Sequence, residues 1–166
     1  MKVKRMVFLG VLTSAALCLS FAESFLDLTF LAPGIKPGLA NIPVIMLVCL
    51  KHKKSAAAVG LCRITLASLL FGTPVTFLYA FCGLLFSFTA MCICTRLTAS
   101  VFLSGVFGGI FHNVGQLLGA VLCFGNLIPL SYLPIMLPAG AVCGALTGLI
   151  SVFLLKNKTV IKLFDF

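Results

Sequence analysis

Acidic residues are almost missing from this chain: Glu23, Asp27 and Asp165 stand against 12 Lys and Arg in 166 residues. Three scattered carboxylates cannot build the Asp-rich cluster that magnesium–diphosphate chemistry needs. Charge of either sign is scarce too, at 9%, where a soluble domain carries roughly 25%. A soluble globule is therefore excluded. No Walker lysine motif and no nucleophile placed beside a base is present, so the chain has no means of hydrolysing ATP alone and no enzyme constellation. Ligand-rich metal spacing is absent as well. The eight cysteines lie in apolar runs and read as small buried hydrophobes. The one close pair, Cys92 and Cys94, is two residues apart and does not share a helical face.

What remains is apolar: 61% of residues are hydrophobic and the mean hydropathy is +1.25. Because a bilayer core of about 30 Å takes about 20 apolar residues to cross, the chain predicts an all-α, polytopic membrane bundle of about six helices in a single domain, residues 1–166. The expected spans are 6–23, 38–50, 55–71, 75–94, 99–124 and 135–155. Lys2, Lys4 and Arg5, then Lys51, Lys53 and Lys54, then Arg96, then Lys156, Lys158 and Lys162 fall at one end of these spans. Lys36 alone marks the other end, so the positive-inside rule puts both termini in the cytoplasm, the protein in the inner membrane, and the basic residues on lipid headgroups and not on nucleic acid. The first segment, with its basic start, apolar run and small Ser20 and Ala22, also has the form of a cleavable signal peptide. Its continuation into Phe21 and the need for an orienting first helix favour an uncleaved span.

The stretch 31–43 interrupts this pattern with Pro33, Pro37 and Pro43, Gly34 and Gly38, Lys36 and Asn41. Proline removes a donor and fixes φ, so the second span is expected to be broken or re-entrant. Broken backbone at membrane depth survives only inside protein or beside a wet cavity, and the break therefore predicts one. The segment from Ser24 to Pro37 is expected at the interface or folded partly back into the bundle.

Polar groups elsewhere are few. In the fifth span Gly105, Gly109, His112, Gln116 and Gly119 recur at helical spacing on one face, with Asn113 adjacent. Counting about 1.5 Å per residue, Lys36, Asn41, Glu23, His112, Asn113 and Gln116 can converge on an outward-opening pocket. The same count puts Arg63 about a dozen ångströms lower, away from Glu23, with a coupling or structural role or its charge snorkelling inward. Gly10 and Ser14, with Cys18, form a stripe for helix packing in the first span, and Gly140, Gly144 and Gly148 do so in the sixth. The fourth span reads as lipid-facing structure only.

Pro33 to Asn41, Arg63 followed by Leu69-Leu-Phe-Gly-Thr73, and Gly105 with His112-Asn-Val-Gly-Gln116 closely resemble the Gx transporter family, also called heptaprenyl diphosphate synthase component I. The likeness runs in order over nearly the whole chain. It implies the six-helix fold of the substrate-binding S components of energy-coupling-factor transporters, with a small-molecule pocket near the outer side. Such proteins dock on a membrane coupling subunit and two ATPases; their first helix commonly carries Ala-xxx-Ala, where this chain has Gly10, Ser14 and Cys18, and Ala16 with Ser20. The resemblance thus implies a non-enzymatic uptake subunit that binds no cofactor itself and meets ATP only through its partners. Two other readings accompany it: an accessory membrane component beside a soluble prenyl diphosphate synthase subunit, and a component of flavin-based electron transfer, which would need a bound flavin or quinone.

Overall fold

The computed structural model describes residues 2–26, 37–98 and 100–164, and the description below is confined to them. Their elements are helical, with no strand: α1 (Lys2–Ser24), a 3-10 turn (Leu39–Asn41), α2 (Ile42–Cys49), α3 (Lys53–Phe71), α4 (Pro74–Leu97), α5 (Val101–Phe124), a second 3-10 turn (Ile128–Tyr132), α6 (Leu133–Lys156) and α7 (Lys158–Leu163). Five of the helices are long and apolar enough to cross a bilayer, and Leu39–Cys49 forms a shorter apolar segment. Lys36 and the prolines and glycines before it, like the segment expected at the interface, lie outside the described residues except at their edges.

The short α2 is the centre of the bundle. Its eight residues rise about 12 Å, well under half the hydrocarbon thickness. A helix that is apolar all round has no face to give to water or lipid, and it is buried on every side: Val44, Leu47 and Val48 have no exposed surface, and α2 touches α1, α3, α4, α5 and α6. Pro43, in the first turn, costs it no hydrogen bond. Entry is made by Gly38, at φ 78°, and exit by Lys51, at φ 66°, where the chain reverses into α3. Around this post α1 packs on α3, while α4, α5 and α6 form the most extensive contacts of the fold. Arg5 donates to Ser55 Oγ at 2.7 Å and Phe8 meets Phe164 edge-on at 5.0 Å, so the basic starts of α1 and α3 and the end of the chain share one end of the bundle. Phe21 and Phe71, 5.6 Å apart, mark the opposite end of α1 and α3.

Two expectations about faces change. Among the described residues Gly10 and Ser14 pack no helix: nothing stands within 4 Å of where a Cβ on Gly10 would be, and Ser14 is exposed, its hydroxyl donating to the Gly10 carbonyl. The reason is that α1 turns Ala16, Ser20 and Glu23 inward, at spacings of four and three, which places the small-residue stripe outward. Helix α4 is more than lipid-facing structure. Although Leu85, Phe86, Ile93 and Leu97 are exposed, Gly83, Leu84, Ser87 and Met91 are buried against the bundle.

The glycines of α5 serve two neighbours instead of one face. Gly105 and Gly109 lie against the backbone of α6 at Gly140, Gly144 and Gly148; Gly108, Gly115 and Gly119 lie against α4. Helices in lipid gain little from apolar burial against each other, so close backbone approach between small residues is what joins them.

Candidate functional site

A cluster of polar and charged side chains gathers where the broken second segment meets α1, α3, α4 and α5. They line a cavity of about 200 Å³ whose walls include Ser20, Glu23, Asn41, Arg63, Thr76, Tyr79, His112, Asn113 and Gln116, with Phe71 and Ala80 as apolar surface. Five of the six residues expected to converge are therefore in one cavity, and the sixth, Lys36, lies outside the described residues.

Arg63 joins them, which corrects its expected depth. It sits midway along α3, as His112 does along α5, and the descent of the chain through Gly38 and the 3-10 turn carries Asn41 down to it. One terminal nitrogen of Arg63 donates to Ser20 Oγ at 3.2 Å and the other to Asn41 Oδ1 at 3.1 Å. Arg63 is 8% exposed, and a buried guanidinium must be compensated to avoid a desolvation cost of several kcal/mol. Glu23, expected to lie far from it, lines the same cavity and is its charged neighbour of opposite sign. Its carboxylate also accepts from the Leu39 backbone N–H, tying the end of α1 to the start of the 3-10 turn.

His112 and Gln116 stand one turn apart on α5, as their spacing predicts. The imidazole of His112 lies on Gly83, which has no side chain to displace it: a Cβ there would stand 2.7 Å from His112 Cε1. Gln116 Oε1 is buried with no hydrogen-bond partner among the described residues, and so is Nε of Arg63. Asn113 faces a different way. Its Nδ2 donates to the Met136 carbonyl of α6 at 2.8 Å, a bond that fastens α5 to α6 at the edge of the cavity. Replacing Asn113 by alanine is expected to lower stability by about 1 kcal/mol, readable as a lower thermal unfolding midpoint in detergent.

Gly38, Asn41, His112 and Asn113 also border a second space of about 30 Å³, deeper among α2, α4, α5 and α6, with Ser87, Cys143 and Thr147 around it. That is about the volume of one water molecule. A third concavity, about 780 Å³, is an open groove along α4 and α5 lined by residues such as Leu85, Phe86, Ile93, Leu97, Phe107 and Phe111. It offers almost no polar chemistry. All eight cysteines are free thiols, and no group of three or more His, Cys, Asp or Glu that could hold a metal occurs among the described residues.

Sequence spacing found His112 and Gln116 because both lie on one helix. It missed Ser20, Thr76 and Tyr79 as cavity residues, and Gly83 as the surface under the His112 ring, since each is a single small or polar position in an apolar helix and only the tertiary arrangement brings it to the site. For Ser20 a signal existed: with Ala16 and Glu23 it completes the inward face of α1.

The family model described as heptaprenyl diphosphate synthase component I matches residues 12–154. No curated protein and no solved structure matches the chain.

Proposed function

The chain belongs to the heptaprenyl diphosphate synthase component I family, and from that membership and the polar cavity we propose that it is the substrate-binding membrane subunit of a small-molecule uptake transporter. The observation that carries this reading is the cavity itself: Glu23, Asn41, Arg63, His112 and Gln116 gathered in one place inside a largely apolar bundle. Ionisable and polar groups are costly at membrane depth and collect where a ligand or ion is handled. A cleft with few, convergent polar groups on an apolar scaffold is the usual form of a small-molecule site. On this reading the end of the bundle away from the basic termini faces outward, the ligand enters there, and both termini are cytoplasmic. The chain performs no chemistry. Energy comes from partner ATPases acting through a membrane coupling subunit, since the sequence holds no nucleotide-binding motif of its own.

The family description favours a second reading, a non-catalytic membrane component that accompanies a soluble prenyl diphosphate synthase subunit. The polar cavity does not suit the product of such a synthase. Its walls carry Glu23, Asn41, Arg63, His112 and Gln116, which an apolar prenyl chain would bury without partners. Any prenyl chemistry would then belong to the partner.

Native mass spectrometry of the detergent-purified protein separates the readings. The uptake reading expects a bound small molecule that is lost in Asn41→Ala and His112→Ala, together with co-purifying ATPases and a coupling protein. Retention at the wild-type level in both variants would sink the site. Co-purification of a soluble prenyl synthase without ATPases would replace this reading by the second.

A further inference from the structure

Arg63 has more donors than the protein uses. A guanidinium carries five N–H groups; Ser20 Oγ and Asn41 Oδ1 accept one bond each from its two terminal nitrogens, and Nε is buried with no acceptor. Both acceptors are neutral, so among the described residues no carboxylate accepts a hydrogen bond from Arg63. Glu23, the acid in the same cavity, has a carboxylate oxygen taken by the Leu39 N–H. In the same cavity wall Gln116 presents the complementary group, a buried carbonyl oxygen with no hydrogen-bond partner among the described residues. The cavity thus offers a forked cationic donor on α3, a neutral acceptor on α5, and the aromatic surfaces of Phe71 and Tyr79.

Resting on the uptake reading, we infer that the ligand is a small organic acid whose anionic group is held by Arg63 and which donates a hydrogen bond to Gln116. Arginine is the side chain whose planar fork matches carboxylate and phosphate oxygens, and such charge-assisted bonds are about twice as strong as neutral ones. Ser20 and Asn41 then act as positioning residues, fixing the plane of the guanidinium from α1 and from the 3-10 turn. The cavity, about 200 Å³ and partly open, accommodates a single ring with its acid group.

The test uses the full chain in detergent, with unfolding followed by a thiol-reactive dye that reads its free cysteines. Probes are acid and neutral partners of matched shape: benzoate with benzamide, nicotinate with nicotinamide, and phenyl phosphate with phenol. In parallel, the molecule released from protein purified out of its own membranes is identified by exact mass. The expected result is an acidic released molecule and stabilisation by an acid over its neutral partner, with affinity falling about tenfold or more in Arg63→Gln. Gln116→Glu, which adds a negative charge without touching Arg63, is expected to remove acid binding as well. Arg63→Lys keeps the charge but not the fork, and so retains a phosphate better than a carboxylate; with the benzoate and phenyl phosphate arms it tells the two anion classes apart. A released molecule that is neutral or cationic, or acid binding undiminished in Arg63→Gln and Gln116→Glu, overturns the inference and leaves the uptake reading standing. Absence of any released molecule together with no stabilisation by any probe overturns both.

Discussion

Alanine at Gly109 is expected to lower the unfolding midpoint of the protein by roughly 5–10 °C, the shift that about 2–3 kcal/mol of overpacking gives in a domain of this size. A Cβ at Gly109 would stand 2.2 Å from the Gly140 carbonyl oxygen and 2.8 Å from Gly144 Cα. The opposing side is no more forgiving. A Cβ at Gly140 would meet the Gly109 carbonyl at 2.7 Å, and one at Gly144 would meet the Gly105 carbonyl at 2.5 Å. Every one of these obstacles is backbone, so no rotamer change relieves the clash and α5 must separate from α6. In lipid that separation forfeits the close van der Waals contact on which helix association depends. It also moves His112 and Gln116, which ride on α5. Gly10→Ala is the control: its added methyl meets nothing within 4 Å and should change stability by less than about 0.5 kcal/mol. Equal midpoints for the two variants would show that α5 and α6 are not in backbone contact.

The glycine pattern that underlies this expectation was readable from the sequence, but only in part. Gly140, Gly144 and Gly148 recur every four residues and so must share a face, whatever the partner. On α5 the same logic merged two faces into one. Gly105 and Gly109 go to α6 while Gly119 goes to α4, and a one-dimensional spacing rule cannot distinguish neighbours that lie on either side of one helix. The break at the second span was legible because proline and glycine act locally, through φ and a missing donor. What the break accomplishes was not. That α2 becomes a central post touching five helices depends on how the other helices surround it. Arg63 illustrates the same boundary. An α-helical rise per residue does not describe the descent through Gly38 and the 3-10 turn to Asn41. The sequence therefore identified His112, Gln116, Asn41 and Glu23 as polar groups at similar depth and set aside the cation that lies beside them.

Gly83→Ala is the complementary case, because the group its methyl would strike can move. The clash is with the imidazole of His112, at 2.7 Å from Cε1, 2.9 Å from Nδ1 and 3.1 Å from Nε2, and not with backbone. A side chain can rotate where a helix cannot, so the helix pair should hold, with a stability change within about 1 kcal/mol. The cost falls on the site. His112 borders both the larger cavity and the small space below it, and the ring is placed by the absence of a side chain on α4. On the proposed uptake reading, a displaced ring either takes volume from the ligand or gives up its contact with it. Since misplacement by about 1 Å at a preorganised site is enough to forfeit much of its function, retention of the bound molecule in Gly83→Ala is expected to fall about tenfold while the unfolding midpoint stays near that of the wild type. Gly115→Ala supplies the contrast on the same helix pair: its Cβ would meet the Cys82 carbonyl oxygen at 2.5 Å, a backbone obstacle, so its loss should appear in stability first. If Gly83→Ala kept wild-type retention, the imidazole would not be part of the binding surface, and the site would reduce to Arg63, Asn41 and Gln116. A fall in both stability and retention, matching Gly115→Ala, would make Gly83 a packing position with no separate influence on the ligand.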